Sequence, residues 1–148
     1  MASPFETTVS GLLEYIATAG IATVKGVEEY NGQEFERMRQ LCRERGTRAF
    51  VRVIQAQADE NGPLAADCMD LQAQIVVAAQ ASSARTAAAN AWQAAWDIYT
   101  TVRRTKAGCD TVIKEPWRLA GFKLEEQAGD CAVVWLLLAA HADFAELS

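Results

Sequence analysis

The densest chemistry in this 148-residue chain is a run of arginines. Arg37, Arg39, Arg43, Arg45, Arg48 and Arg52 are six of its 14 basic residues, and Glu36 and Glu44 are the only acids among them. A guanidinium binds phosphate or carboxylate through two parallel hydrogen bonds. Read as a helix, the segment puts Arg45, Arg48 and Arg52 on one face, an anion-binding candidate. A second set is aromatic: Trp92, Trp96 and Tyr99 recur one helical turn apart, with Trp117 and Trp135 as further members. Such a stripe either fills a core or walls a small-molecule pocket. The reading favours core for Trp92 and leaves a pocket open for Trp96. Arg85 lies on the same stripe and would anchor a ligand or need an acidic partner. His141 is the only histidine, with Asp143 two residues on, and is a candidate ligand-binding or proton-transfer group.

Other chemistry is missing from the pattern. Cys42, Cys68, Cys109 and Cys131 are far apart, without the close pairs of a zinc site, and read as buried, reduced thiols of a cytoplasmic protein. No nucleophile elbow, P-loop, metalloprotease or dinucleotide-binding motif occurs. The reading therefore assigns no cofactor and no metal. The formal net charge of −5 argues against general nucleic-acid binding. The apolar run 131–142 is too short to cross a bilayer, and no signal peptide is read at the N-terminus.

One stretch carries a family resemblance. Glu125-Glu126-Gln127-Ala128-Gly129-Asp130, the apolar run after it, and Asp143-Phe144-Ala145-Glu146-Leu147 resemble the second half of the all-α MazG-type nucleotide pyrophosphohydrolases. There an E-x-x-D motif opens an apolar helix and binds Mg²⁺. The resemblance implies a Mg²⁺-dependent hydrolase of a phosphorylated small molecule, with Glu125, Glu126 and Asp130 as ligands. In this chain Glu126 and Asp130 are four apart, and residues 96–106, where the upstream motif belongs, contain no glutamate.

The elements that must position these residues read as helices. Twenty-eight alanines and three prolines favour long helices, because alanine loses no side-chain entropy and proline breaks the ladder. Ser3-Pro4-Phe5-Glu6 is a helix start, with Ser3 as cap and Glu6 completing a capping box. A strand over 21–27 is the minor alternative to its continuation, and Asn31-Gly32 is a turn. Residues 33–45 show helical spacing, with Gly46 as the stop. Thr47 then caps a further helix, although 49–54 also fits a strand. Glu60-Asn61-Gly62-Pro63 is a turn. Residues 64–107 contain neither Gly nor Pro and carry an alternating four-three stripe. One helix of that length would be roughly 65 Å long at about 1.5 Å per residue. Gly129-Asp130 is either a break with Asp130 as helix cap or a kink, and 131–142, apolar on every side, reads as a buried final helix.

The expected fold is a single all-α domain over 1–148, a bundle of about five or six helices with one very long or kinked helix at about 63–107. The expected function is a non-enzymatic ligand-binding or protein-interaction module acting as a homodimer, taking a small apolar or anionic ligand. The alternative is the Mg²⁺-dependent hydrolase.

Overall fold

The computed structural model describes residues 3–58 and 68–143, so the expected turn at 60–63 lies outside them. Eight elements follow in the order α1 (Pro4–Thr18), β1 (Gly26–Glu29), α2 (Phe35–Arg45), β2 (Arg48–Ala58), β3 (Cys68–Gln80), α3 (Ala84–Val102), β4 (Arg118–Ala128) and β5 (Cys131–Asp143). The strands form one mixed sheet in the order β1-β2-β3-β5-β4. Only β1 and β2 run parallel, with α2 as their crossover. The expected all-α bundle is thus corrected to an α/β fold.

The corrections have definite physical causes. The final apolar run is not a helix but β5, a strand paired on both sides and buried on both faces. Such a strand shows no alternation, because every position faces protein. The long helix at 63–107 does not exist. Its residues 63–67 lie outside the described ones; of the rest, 68–80 are β3 and only 84–102 are helical. Val, Ile and Leu in β3 stabilise a pleated, buried strand, and the seven-residue repeat linking it to α3 was a coincidence of spacing across the Ser82-Ser83 break. Ser83 caps α3 there, its side chain accepting a hydrogen bond from Thr86 N at 3.2 Å. Thr47 caps nothing, because 48–58 is β2. Residues 118–128, ahead of the Gly129-Asp130 break, form β4.

Other local readings hold. Ser3 caps α1 by accepting from Glu6 N, with Pro4 in the first turn. Gly46 ends α2 at φ +86°, a conformation costly for any side chain with a Cβ. Gly129-Asp130 is the two-residue turn between β4 and β5, with Gly129 at φ +59°. At Gly11 the turn at Gly108 approaches closely: a Cβ on Gly11 would lie 2.7 Å from the Gly108 carbonyl oxygen.

The sheet is covered unequally. On one face α1 and α3 pack Leu12, Ile16, Ala91, Ala95 and Ile98 onto Ile75, Val77, Val134, Leu136 and Leu138. On the other, among the described residues, only α2 packs, setting Met38, Leu41 and Cys42 on Phe50, Val76, Ala78 and Val133. Eleven residues of helix cannot span the five strands, so part of this face stays open.

A polar knot ties α2 to the β4–β5 turn. The Asp130 carboxylate accepts from Arg39 Nε at 2.7 Å, Arg43 Nη2 at 2.9 Å and Gln80 Nε2 at 3.1 Å. The bonds from Arg43, Gln80 and Arg39 hold its pKa well below the usual carboxylate range. A depressed folded-state pKa contributes stability that is complete above the unfolded value of about 4 and is lost as pH falls toward the folded one. Asp130→Asn is therefore expected to lower the urea midpoint near neutral pH, with the gap to wild type closing in acid as the native carboxylate protonates. A gap that stays constant from neutral pH into acid would contradict this assignment.

Candidate functional site

The aromatic stripe is real but faces outward. In α3 the buried face is Ala87, Ala91, Ala94, Ala95, Ile98 and Val102. Small side chains let the helix lie close to a sheet that supplies its own bulk in Ile75, Leu136 and Leu138. The alternative face, Arg85, Ala89, Trp92, Trp96 and Arg103, is exposed. Trp92 is 39% and Trp96 48% exposed, which overturns the core expectation for Trp92. Arg85 is exposed as well and needs no buried partner.

The stripe is joined by a residue that the sequence reading did not single out. Phe122 of β4 sits 6.3 Å from the ring centroids of both Trp92 and Trp96, and 5.9 Å edge-on from Tyr99. Trp96 and Tyr99 are 5.6 Å apart. Exposed Leu119 and Leu124 extend the apolar strip along β4. Trp92, Trp96 and Phe122 line an open groove of about 330 Å³ with Ala89 and Gln93. Trp117 and Trp135 do not join it. Trp117 is buried in the core, its indole donating to the Lys106 carbonyl at 3.2 Å. Trp135 lies on the opposite sheet face, beneath Lys123 Nζ at 5.1 Å. His141 shares that opposite face by alternation along β5, so it is not part of the aromatic set.

The three arginines read as an anion site do not share a helix face. Arg45 is the exposed last residue of α2. Arg48 and Arg52 lie on β2. Arg48 is directed at Glu28, Nε to Oε1 3.6 Å. Arg52 is different: Gln74, only 1% exposed, accepts from its Nε at 2.6 Å, and its guanidinium carbon lies 4.2 Å over the Tyr30 ring.

Arg52 lines a pocket of about 120 Å³ on the open part of the α2 face, with Tyr30, Phe35, Met38, Val133 and Trp135 among its walls. Glu125 and Glu126 complete it. Consecutive strand residues normally point to opposite faces. Here a bulge between Leu124 and Glu126 turns both carboxylates toward one cavity, a recognised use of bulges. Sequence reasoning found Glu125 and Glu126 through a helical motif. The bulge that brings them together has no sequence signal beyond the doubled glutamate.

Asp130, the third residue of the resemblance to MazG-type enzymes, is held by Arg39 and Arg43 instead, and none of the three is on a helix. The resemblance is corrected with the fold. Among the described residues, no group of three or more His, Cys, Asp or Glu side chains is placed to hold a metal ion, and no helix is long and apolar enough to cross a membrane. Cys42, Cys109 and Cys131 are buried free thiols. Burial raises them, Cys42 and Cys109 to about 12 and Cys131 to about 11, so they are poor nucleophiles. Comparison with protein-family models and with curated proteins finds no match.

The exposure of Trp92 fixes its energetic role. Phe50, fully buried under α2, should lose about 3–5 kcal/mol on truncation to alanine. Trp92→Ala, which removes a half-exposed ring packed on Phe122, should lose about 1–2 kcal/mol. Urea unfolding at a dilution that keeps the chain monomeric compares them, and equal losses would return Trp92 to the core.

Proposed function

We propose that this protein is a non-enzymatic interaction module that self-associates through the ledge formed by α3 and β4. The observation that carries the reading is the solvent-facing aromatic strip of Trp92, Trp96 and Phe122, continued by Leu119 and Leu124. Tryptophan and tyrosine dominate the energetics of protein interfaces, and contiguous exposed apolar surface marks interaction sites.

The geometry of the ledge suits a second copy of the same chain. β4 runs antiparallel to α3: Gln127 Nε2 donates to the Ala84 carbonyl at 2.8 Å at one end, and Trp117 N donates to the Thr105 carbonyl at 2.9 Å near the other. Exposed Arg103 and Arg104 stand at the second end and Arg85 at the first. A two-fold axis near Phe122 sets the aromatic strip of one protomer against that of its partner, the self-complementary geometry of an isologous dimer. Contact is through side chains rather than an added strand. The free edge of β4 carries two bulges and the charged Lys123, Glu125 and Glu126, and these are devices that oppose edge-to-edge pairing.

Light scattering on a sizing column is expected to give twice the 16.1 kDa chain mass at micromolar concentration, and the chain mass for Trp92→Ser/Trp96→Ser, with an unchanged far-ultraviolet spectrum. A wild-type monomer, or a dimer indifferent to both substitutions, would defeat the proposal.

A further inference from the structure

The pocket beneath the α2 face is independent of the ledge, and its chemistry is more specific. Its cation is built in: Gln74 is a buried amide of β3, and its carbonyl oxygen accepts from Arg52 Nε at 2.6 Å. The guanidinium plane rests over Tyr30 at 4.2 Å. Both contacts use the Nε edge or the face of the group, which leaves the Nη pair for a ligand. Among the described residues no carboxylate lies within ion-pair distance of Arg52. A guanidinium with fixed orientation and unused Nη donors is suited to a carboxylate.

Across the cavity the β4 bulge presents Glu125 and Glu126. Lys123 Nζ lies 4.0 Å from Glu125 and offsets part of that charge, which leaves Glu126 as the carboxylate most in need of a cation. Between the two polar walls lie apolar and aromatic side chains, Phe35, Met38, Val133 and Trp135. A site with one fixed cation, facing carboxylates, an apolar wall and a volume of about 120 Å³ is matched to a small zwitterion with an aliphatic side chain. We infer that this pocket binds a free aliphatic α-amino acid. Its carboxylate lies on the Arg52 Nη groups, its ammonium on Glu126 and Glu125, and its side chain against Trp135 and Met38.

The test uses the full chain and two sets of probes. L-Alanine, L-valine and L-leucine are added at millimolar concentration while the indole N–H resonance of Trp135 and the melting temperature are followed. Propionate and ethylammonium serve as half-ligands carrying only one of the two charges. At least one amino acid is expected to shift the Trp135 resonance saturably and to raise the melting temperature, with each half-ligand at least about tenfold weaker, since charge-assisted bonds at both ends contribute. Arg52→Gln and Glu126→Gln should each weaken binding by about the same factor. Glu126 is exposed on an edge strand, so its substitution leaves the fold in place and reports on the site even where Arg52→Gln unfolds. Silence of Trp135 toward all three amino acids, binding of propionate as tight as that of the amino acids, or affinity unaltered in Glu126→Gln would each overturn the assignment. None of these outcomes bears on the dimer.

Discussion

The pairing of β3 with β5 is the constraint from which the rest of the structure follows. The two strands run antiparallel through thirteen paired positions, from Cys68 opposite Asp143 to Gln80 opposite Cys131. Both are interior strands, so the peptide groups of each find partners on two sides. A buried, unpaired peptide group is too costly to persist. Their side chains alternate into two cores: Ile75, Val77, Val134 and Leu136 under α1 and α3, Val76, Ala78 and Val133 under α2. The spine therefore fixes where every helix can dock. It also leaves β1, only four residues long, and β4 as the edges.

What was legible in the sequence was local. The Ser3 cap, the stop at Gly46 and the turn at Gly129-Asp130 are backbone requirements met by particular residues, and each is where the sequence places it. The sheet was not legible, because its central strands carry no alternation. In β5 the run Val133-Val134-Trp135-Leu136-Leu137-Leu138 is apolar at every position, which suits a strand buried on both faces as well as a buried helix. Alanine misled further: Ala73, Ala78, Ala79, Ala132 and Ala139 are strand residues at zero or near-zero exposure, where tertiary packing overrides helix propensity. Around α3 the expected helix ran back through what is β3, and its buried face was misassigned as well. The heptad template favours large residues in the seam, whereas this helix buries its alanines and exposes its tryptophans.

Both candidate sites arise from one imbalance in the architecture. Two helices of 15 and 19 residues cover one sheet face, and one of 11 covers the other. On the well-covered face the surplus apolar residues have no interior left to enter, so Trp92 and Trp96 stand outside and capture Phe122 from the edge strand. On the thinly covered face the sheet runs past the end of α2, and polar residues of β2, β3 and β4 border a cavity. The bulges in β4 serve both surfaces. The one between Leu119 and Gly121 shifts the register so that Leu119, Phe122 and Leu124 all lie on the α3 side. The one between Leu124 and Glu126 brings two carboxylates to the other.

The arginine cluster that dominates the sequence divides, in the fold, into separate physical roles. Arg39 and Arg43 reach from α2 to Asp130 and fasten the helix to the β4–β5 turn. Arg48 lies nearly buried against Glu28, and the Arg48 Nε and Glu28 Oε1 atoms make no hydrogen bond. A buried ion pair in this state gives little net stability, since desolvation offsets most of the Coulomb attraction. Losing either partner would cost far more, because the remaining charge would be left unpaired. Arg52 lies four residues further along β2, on the same face, and is compensated by an amide and an aromatic ring instead of an acid. The amide and ring fix the guanidinium in place but leave its charge unneutralised. That difference separates Arg48, which is structural, from Arg52, whose position is set by the protein and whose charge is left for a ligand.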